Sequence, residues 1–122
     1  MSQTPESSGK KYDLEERTAK FGEDSIELLK KIPKNEITCP LITQLSKCTT
    51  SVGANYCEAD DAESPKDFKH KIGICKKESR ECKHFFRMLA KAVPELRDKI
   101  AKLWLEAKEL NLIFNSIYKK FK

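Results

Sequence analysis

Glu58, Glu78, Glu81 and His84 are the residues whose types and spacing come closest to chemistry. Glu81-x-x-His84, at (i, i+3) on a helix, is half of the ligand pattern by which helical bundles hold a carboxylate-bridged metal pair. Such a centre needs a second Glu-x-x-His and further inward carboxylates. Glu106 and Glu109 have no partner histidine, so His84 reads as a surface residue and no metal or cofactor is expected. Glu78 and Glu81 as an acid–base pair lack any nucleophile or substrate cradle, and no catalytic residue is assigned. The five cysteines, at 39, 48, 57, 75 and 82, form no C-x-x-C and lie in a chain without an apolar leader. They read as reduced thiols, with Cys75 and Cys82, and less strongly Cys48 and Cys57, acting as small buried hydrophobes. Gly53 and Gly73 are isolated and make no phosphate loop; they suit close helix contact.

Two constellations remain. The stripe Ile74, Glu78, Glu81, Phe85 and Met88 is apolar except for its two carboxylates. An ionised carboxylate there must be paired or solvated, because burying it alone costs several kcal/mol, on the order of the ion's effective desolvation penalty. The preferred reading is a polar network of Gln44, Asn55, Glu58, Glu78 and Glu81 that fixes helix register or subunit geometry; simple solvent exposure is the alternative. The second constellation is basic. Lys69, Lys76, Lys83 and Lys91 recur at nearly heptad spacing, Arg87 lies beside them, and Lys119 and Lys120 follow at the C-terminus. Residues 1–63 carry a net charge of −4 and residues 64–122 a net charge of +9. Such a strip can bind a phosphate backbone or be no more than a solvated face. No aromatic residue interleaves it in a way that would stack bases, so binding without sequence readout is expected.

The elements that carry these residues are helices. With 122 residues, 39% of them apolar and 35% charged, the chain suits one modest core under solvated amphipathic helices. No apolar run is long enough to span a membrane, and a cytoplasmic location is expected. Residues 1–11 read as a disordered tail, and 12–122 as one domain with helices over about 13–32, 39–61, 65–91 and 95–120. The first seam is Leu14, Thr18, Phe21, Ser25, Leu28 and Ile32, stopped by Pro33. The second, Leu41, Leu45, Cys48, Val52, Asn55 and Ala59, starts at a cap placed at Thr38 or Cys39. Ser64-Pro65-Lys66-Asp67 spells a capping box before the third, Phe68, Ile72, Cys75, Ser79, Cys82, Phe86 and Leu89. The fourth begins at Pro94-Glu95 and runs Leu96, Ile100, Leu103, Ala107, Leu110, Phe114, Ile117 and Phe121. Trp104, Leu105, Leu112, Ile113 and Tyr118 fall outside it, so that helix has either a broad core stripe or a second face for another subunit. Short loops imply an all-α, antiparallel, up-down-up-down four-helix bundle.

Ser51-Val52-Gly53-Ala54-Asn55-Tyr56-Cys57-Glu58-Ala59, Ser64, Asp67-Phe68, His70-Lys71-Ile72, Lys77-Glu78 and Glu81 follow the pattern SxGANYxEA…SxxDFxHKIxIxxKExxE. With the opening KYDLEERTAKFGE and the closing LWLEAKELNLIFNSI, the chain resembles the bacterial 23S ribosomal RNA intervening-sequence proteins, also called the S23 ribosomal protein family, over about residues 11–120. Phe85-Phe86 departs from the Trp-Leu or Tyr-Trp of many relatives and keeps the apolar character. The resemblance implies an antiparallel bundle that assembles into a ring-shaped homopentamer. Some relatives are encoded within intervening sequences of ribosomal RNA genes, and a similar protein binds the reverse transcriptase and nucleic acid of diversity-generating retroelements. The family supplies no established catalytic residues. The expectation is a non-enzymatic oligomer that binds RNA, DNA or an RNA-associated protein; the alternative is an interaction oligomer without nucleic-acid affinity.

Overall fold

The first helix opens where Asp13 accepts a hydrogen bond from the Glu16 N–H at 3.1 Å, with Glu15 and Glu16 in a first turn whose dipole favours negative charge. A computed structural model describes residues 13–121; the tail expected over 1–11 lies outside the described residues. Four α-helices follow one another: α1 (Leu14–Leu29), α2 (Thr38–Asp60), α3 (Pro65–Ala92) and α4 (Arg97–Lys119). A single 3₁₀ turn, Pro94–Leu96, precedes α4.

The ends differ from expectation where proline and asparagine act locally. Pro33 disfavours a helical Ile32, so α1 stops at Leu29 and the next turn tightens through the Lys31 and Ile32 N–H groups onto the Leu28 and Leu29 carbonyls. Neither Thr38 nor Cys39 caps α2. Asn35 Oδ1 instead accepts from the Ile37 and Thr38 N–H groups, both at 2.9 Å. The Thr38 hydroxyl turns back to the Pro33 carbonyl at 2.6 Å. Ser64 accepts from the Asp67 N–H at 3.0 Å, but the reciprocal half of the capping box does not form among the described residues. Pro94 holds Val93 out of the helical region, and α4 starts at Arg97 rather than at Pro94.

Neighbouring helices run antiparallel. Along α2 and α3, Glu58 pairs with Lys71 and the Cys75 thiol reaches the Val52 carbonyl. Along α3 and α4, Phe68 meets Phe121 at one end while Phe86 and Ile100 share a groove at the other. All six members of the first seam are buried, and so is the third seam from Ile72 to Leu89. Phe21 and Phe86 meet edge to face across the bundle, their centroids 6.3 Å apart. Buried hydroxyls are satisfied within their own helices: Thr18, Ser25 and Thr49 donate to the carbonyls of Leu14, Phe21 and Leu45. Close approach of α1 and α2 depends on Gly53, where a Cβ would lie 3.3 Å from the Thr18 hydroxyl and 3.4 Å from its carbonyl. Among the described residues, no helix is long and apolar enough to cross a membrane.

Candidate nucleic-acid interface

The third helix presents two different flanks. Toward α2 it carries Glu78 and Glu81; toward α4 it carries Lys69, Lys76 and Arg87, with Lys83 one heptad on from Lys76 along the same helix. The α2 flank is not one network. Asn55 donates to the Ser51 carbonyl and hydroxyl, both at 2.9 Å. Glu58 pairs with Lys71 at 2.6 Å, a contact that holds the ammonium above its usual range. Glu78 is pushed up by burial first and by the Glu81 charge second. Gln44 and Glu81 line one shallow, open depression of about 650 Å³ with Lys76, Lys77, Arg80 and His84. Among the described residues, no hydrogen bond links Gln44, Asn55, Glu58, Glu78 and Glu81 to one another. No three His, Cys, Asp or Glu side chains gather as a cation site among them either, and His84 lies edge-on to Phe85.

A buried polar linkage does exist, on the other flank. Asn111 of α4 donates to the Lys76 carbonyl at 2.8 Å and to the Ser79 hydroxyl at 3.1 Å. Asn115 donates back to the Asn111 carbonyl at 3.0 Å. Asn111 was legible only as one member of a second stripe on α4: Arg97, Ala101, Trp104, Lys108, Asn111, Asn115 and Tyr118, alternating four and three apart. That stripe mixes charge, amide and aromatic residues, so it raises no amphipathic signal.

The same stripe brings aromatic neighbours to the basic strip that no spacing within α3 shows. They come from α4, not α3. Tyr118 lies between Lys69 and Lys76, whose ammonium nitrogens stand 4.8 and 4.4 Å from its ring centroid. Gly73 makes room for the ring: a Cβ there would be 3.2 Å from Tyr118 Cε1. One groove end is an apolar hollow of about 320 Å³ lined by Phe86, Arg87, Ala90, Arg97, Ala101 and Trp104. Lys108 stands 5.7 Å from the Trp104 ring centroid. Lys119 follows Tyr118 at the end of α4 and Lys91 lies one turn beyond Arg87, but Lys120 does not join them: it lines a hollow on the α1 side with Leu14, Tyr56 and Glu109.

The carboxylates are mostly elsewhere, although Glu81 shares its depression with Lys76 and Arg80. Of the seven in residues 64–122, Glu78 and Glu81 face α2, Glu106 makes a two-pronged pair with Arg17 at 2.7 and 2.9 Å, and none falls on either stripe of the groove. Among the described residues, Lys69, Lys76, Arg80, Lys83, Arg87, Arg97 and Lys108 make no ion pair.

The thiols divide by depth. Cys48, Cys75 and Cys82 are buried, whereas Cys39 and Cys57 are exposed, so Cys57 is not the core filler its spacing suggested. Burial pushes Cys75 up to about 12. Contact with the Cys48 thiol, then burial, pushes Cys82 up as well.

Fold and surface together define a class: a single antiparallel four-helix bundle with one flank rich in cations that make no ion pair among the described residues. Within that class, the family model described as 23S rRNA-intervening sequence protein matches residues 10–116, and the chain belongs to that family. It is also similar in structure to a protein of unknown function from the S23 ribosomal protein family of Bacteroides thetaiotaomicron. The TM-score is 0.77 at 24% sequence identity, over 87% of this chain and 98% of the other. At that identity the likeness establishes the fold. No curated protein matches the sequence.

Proposed function

We propose that this chain is a non-enzymatic, oligomeric, cytoplasmic binding protein that holds RNA, or a ribonucleoprotein, on the flank formed by α3 and α4. The observation that carries the reading is the segregation of charge there. Lys69, Lys76, Lys83, Arg87 and Lys91 line up on one helix, Lys119 follows at the end of α4, and among the described residues no carboxylate forms an ion pair with any of them. Cations left unpaired side by side repel one another. A phosphate backbone relieves that repulsion and releases its own counterions on binding. Membership of a family described by an rRNA intervening sequence is in keeping with RNA as the partner.

The test is a titration of a 20-nucleotide RNA at several salt concentrations. The expected log–log slope is about −0.7 for each phosphate neutralised on a single strand. Reversing the charge of Lys76, Lys83 and Lys91 together should flatten that slope and lower affinity at every salt concentration. Absence of binding at low ionic strength would sink the proposal.

A second reading has its own observation. Leu105 and Leu112 are 51% and 56% exposed on the outer side of α4. They suit self-association, and a ring-shaped homopentamer is the assembly proposed. An oligomer that binds neither RNA nor DNA is the outcome that would leave this reading standing alone.

A further inference from the structure

We propose that the α3–α4 groove takes single-stranded rather than duplex nucleic acid, with one base stacking on Tyr118 and another on Trp104. This rests on the reading of the flank as a nucleic-acid interface and goes beyond it by assigning the strand form and the stacking residues.

Two half-buried rings from α4 stand in a channel of cations. The Tyr118 ring lies close against α3 at Gly73, where a Cβ would stand 3.2 Å from its edge. Two ammonium groups sit over it, and among the described residues no carboxylate pairs with them. A phosphodiester offers those ammoniums a stronger partner than the ring does. As Lys69 and Lys76 swing to flanking phosphates, the ring is uncovered for a base. Trp104 repeats the arrangement beside Lys108 at the mouth of an apolar hollow. The two rings are fourteen residues apart on α4, about 21 Å at the helical rise of about 1.5 Å per residue. That distance suits a strand of several nucleotides, in the range where cationic grooves with stacking platforms work. A duplex keeps its bases stacked on each other and offers the groove phosphates, 2′-hydroxyls and base edges but no free base face.

The probes are a fluorescein-labelled 12-nucleotide single-stranded RNA and a blunt duplex of the same length, at low and moderate salt. Trp104 is the only tryptophan, so its emission reports stacking directly. The single strand should bind at least about tenfold more tightly than the duplex and quench Trp104. Inorganic polyphosphate should bind without quenching it. Tyr118→Leu should weaken single-strand binding by about five- to a hundredfold, the range for one lost stacked base, with the salt slope unchanged; Tyr118→Phe should restore it. Circular dichroism checks that each variant folds. Equal affinity for duplex and single strand, with Trp104 emission unchanged, overturns the stacking proposal and leaves the broader reading intact. Failure of every probe to bind at low salt overturns both.

Discussion

Asn111 is a buried amide whose two donated bonds both reach α3. Replacing it by alanine leaves the Ser79 hydroxyl without its cross-helix donor and opens a small void. A loss of about 1–3 kcal/mol is expected in chemical denaturation. Ser79→Ala should cost less, because Ser79 also bonds within its own helix to Lys76, and the two changes should be non-additive. Glu78 behaves in the opposite sense. Burial raises its folded pKa above the unfolded value, so its ionisation opposes folding. That cost is absent while the carboxyl is protonated in both states and grows as pH rises through the carboxylate range. Glu78→Gln should therefore match or exceed the parent at pH 7, by no more than about 0.5 kcal/mol given how much water still screens the site. The difference should close by about pH 3.5, below the carboxylate range. The thiols give a third check. Cys39 and Cys57 should react with a thiol reagent in the native protein, and Cys48, Cys75 and Cys82 only after unfolding.

Helix seams are legible in sequence because a bundle position is repeated every three or four residues, and each repeat averages out one ambiguous side chain. Thr18 and Ser25 kept their places in the first seam although both are polar, since each hydroxyl can be satisfied by the carbonyl four residues back. Helix ends are not repeated, so a single local bond moves them; Asn35 captured the start of α2 in that way. The groove was half legible. Its cations share one helix and show as a strip, but its rings belong to α4 and its floor is a glycine, and no spacing within α3 reveals either. Close approach is the element-scale property most open to test. Gly53 faces the backbone of Thr18, which cannot swing aside as a side-chain tip can. Gly53→Leu should lower stability by about 1–3 kcal/mol through overpacking. Gly73→Ala meets only the tip of Tyr118. It should gain most of the helix propensity that glycine forgoes, about 1 kcal/mol, while shifting the ring.

At the scale of the molecule, the four helices are not equally enclosed. The first is 16 residues long against 23, 28 and 23 for the others, so it covers only part of α4. Arg17 and Glu106 bridge the two helices. Nearby, Leu14, Ile113 and Ile117 line an open hollow of about 420 Å³, with Leu112 at its edge. Leu105 and Leu112 are seven residues apart on that side, the spacing of a helix seam, and none of the described helices covers them. If a second copy covers this face, the protein should sediment as an oligomer at micromolar concentration. Leu105→Glu combined with Leu112→Glu should then yield a monomer whose melting temperature is little changed, since neither leucine is enclosed within one bundle. A sedimenting wild-type monomer would remove the self-association reading. Assembly also bears on binding. Several basic flanks held in one particle engage one RNA with a raised effective concentration and neutralise more phosphates than one flank can. The double variant should therefore bind a long RNA more weakly and with a shallower salt slope than the parent, yet match it on a 12-nucleotide strand that fills a single groove.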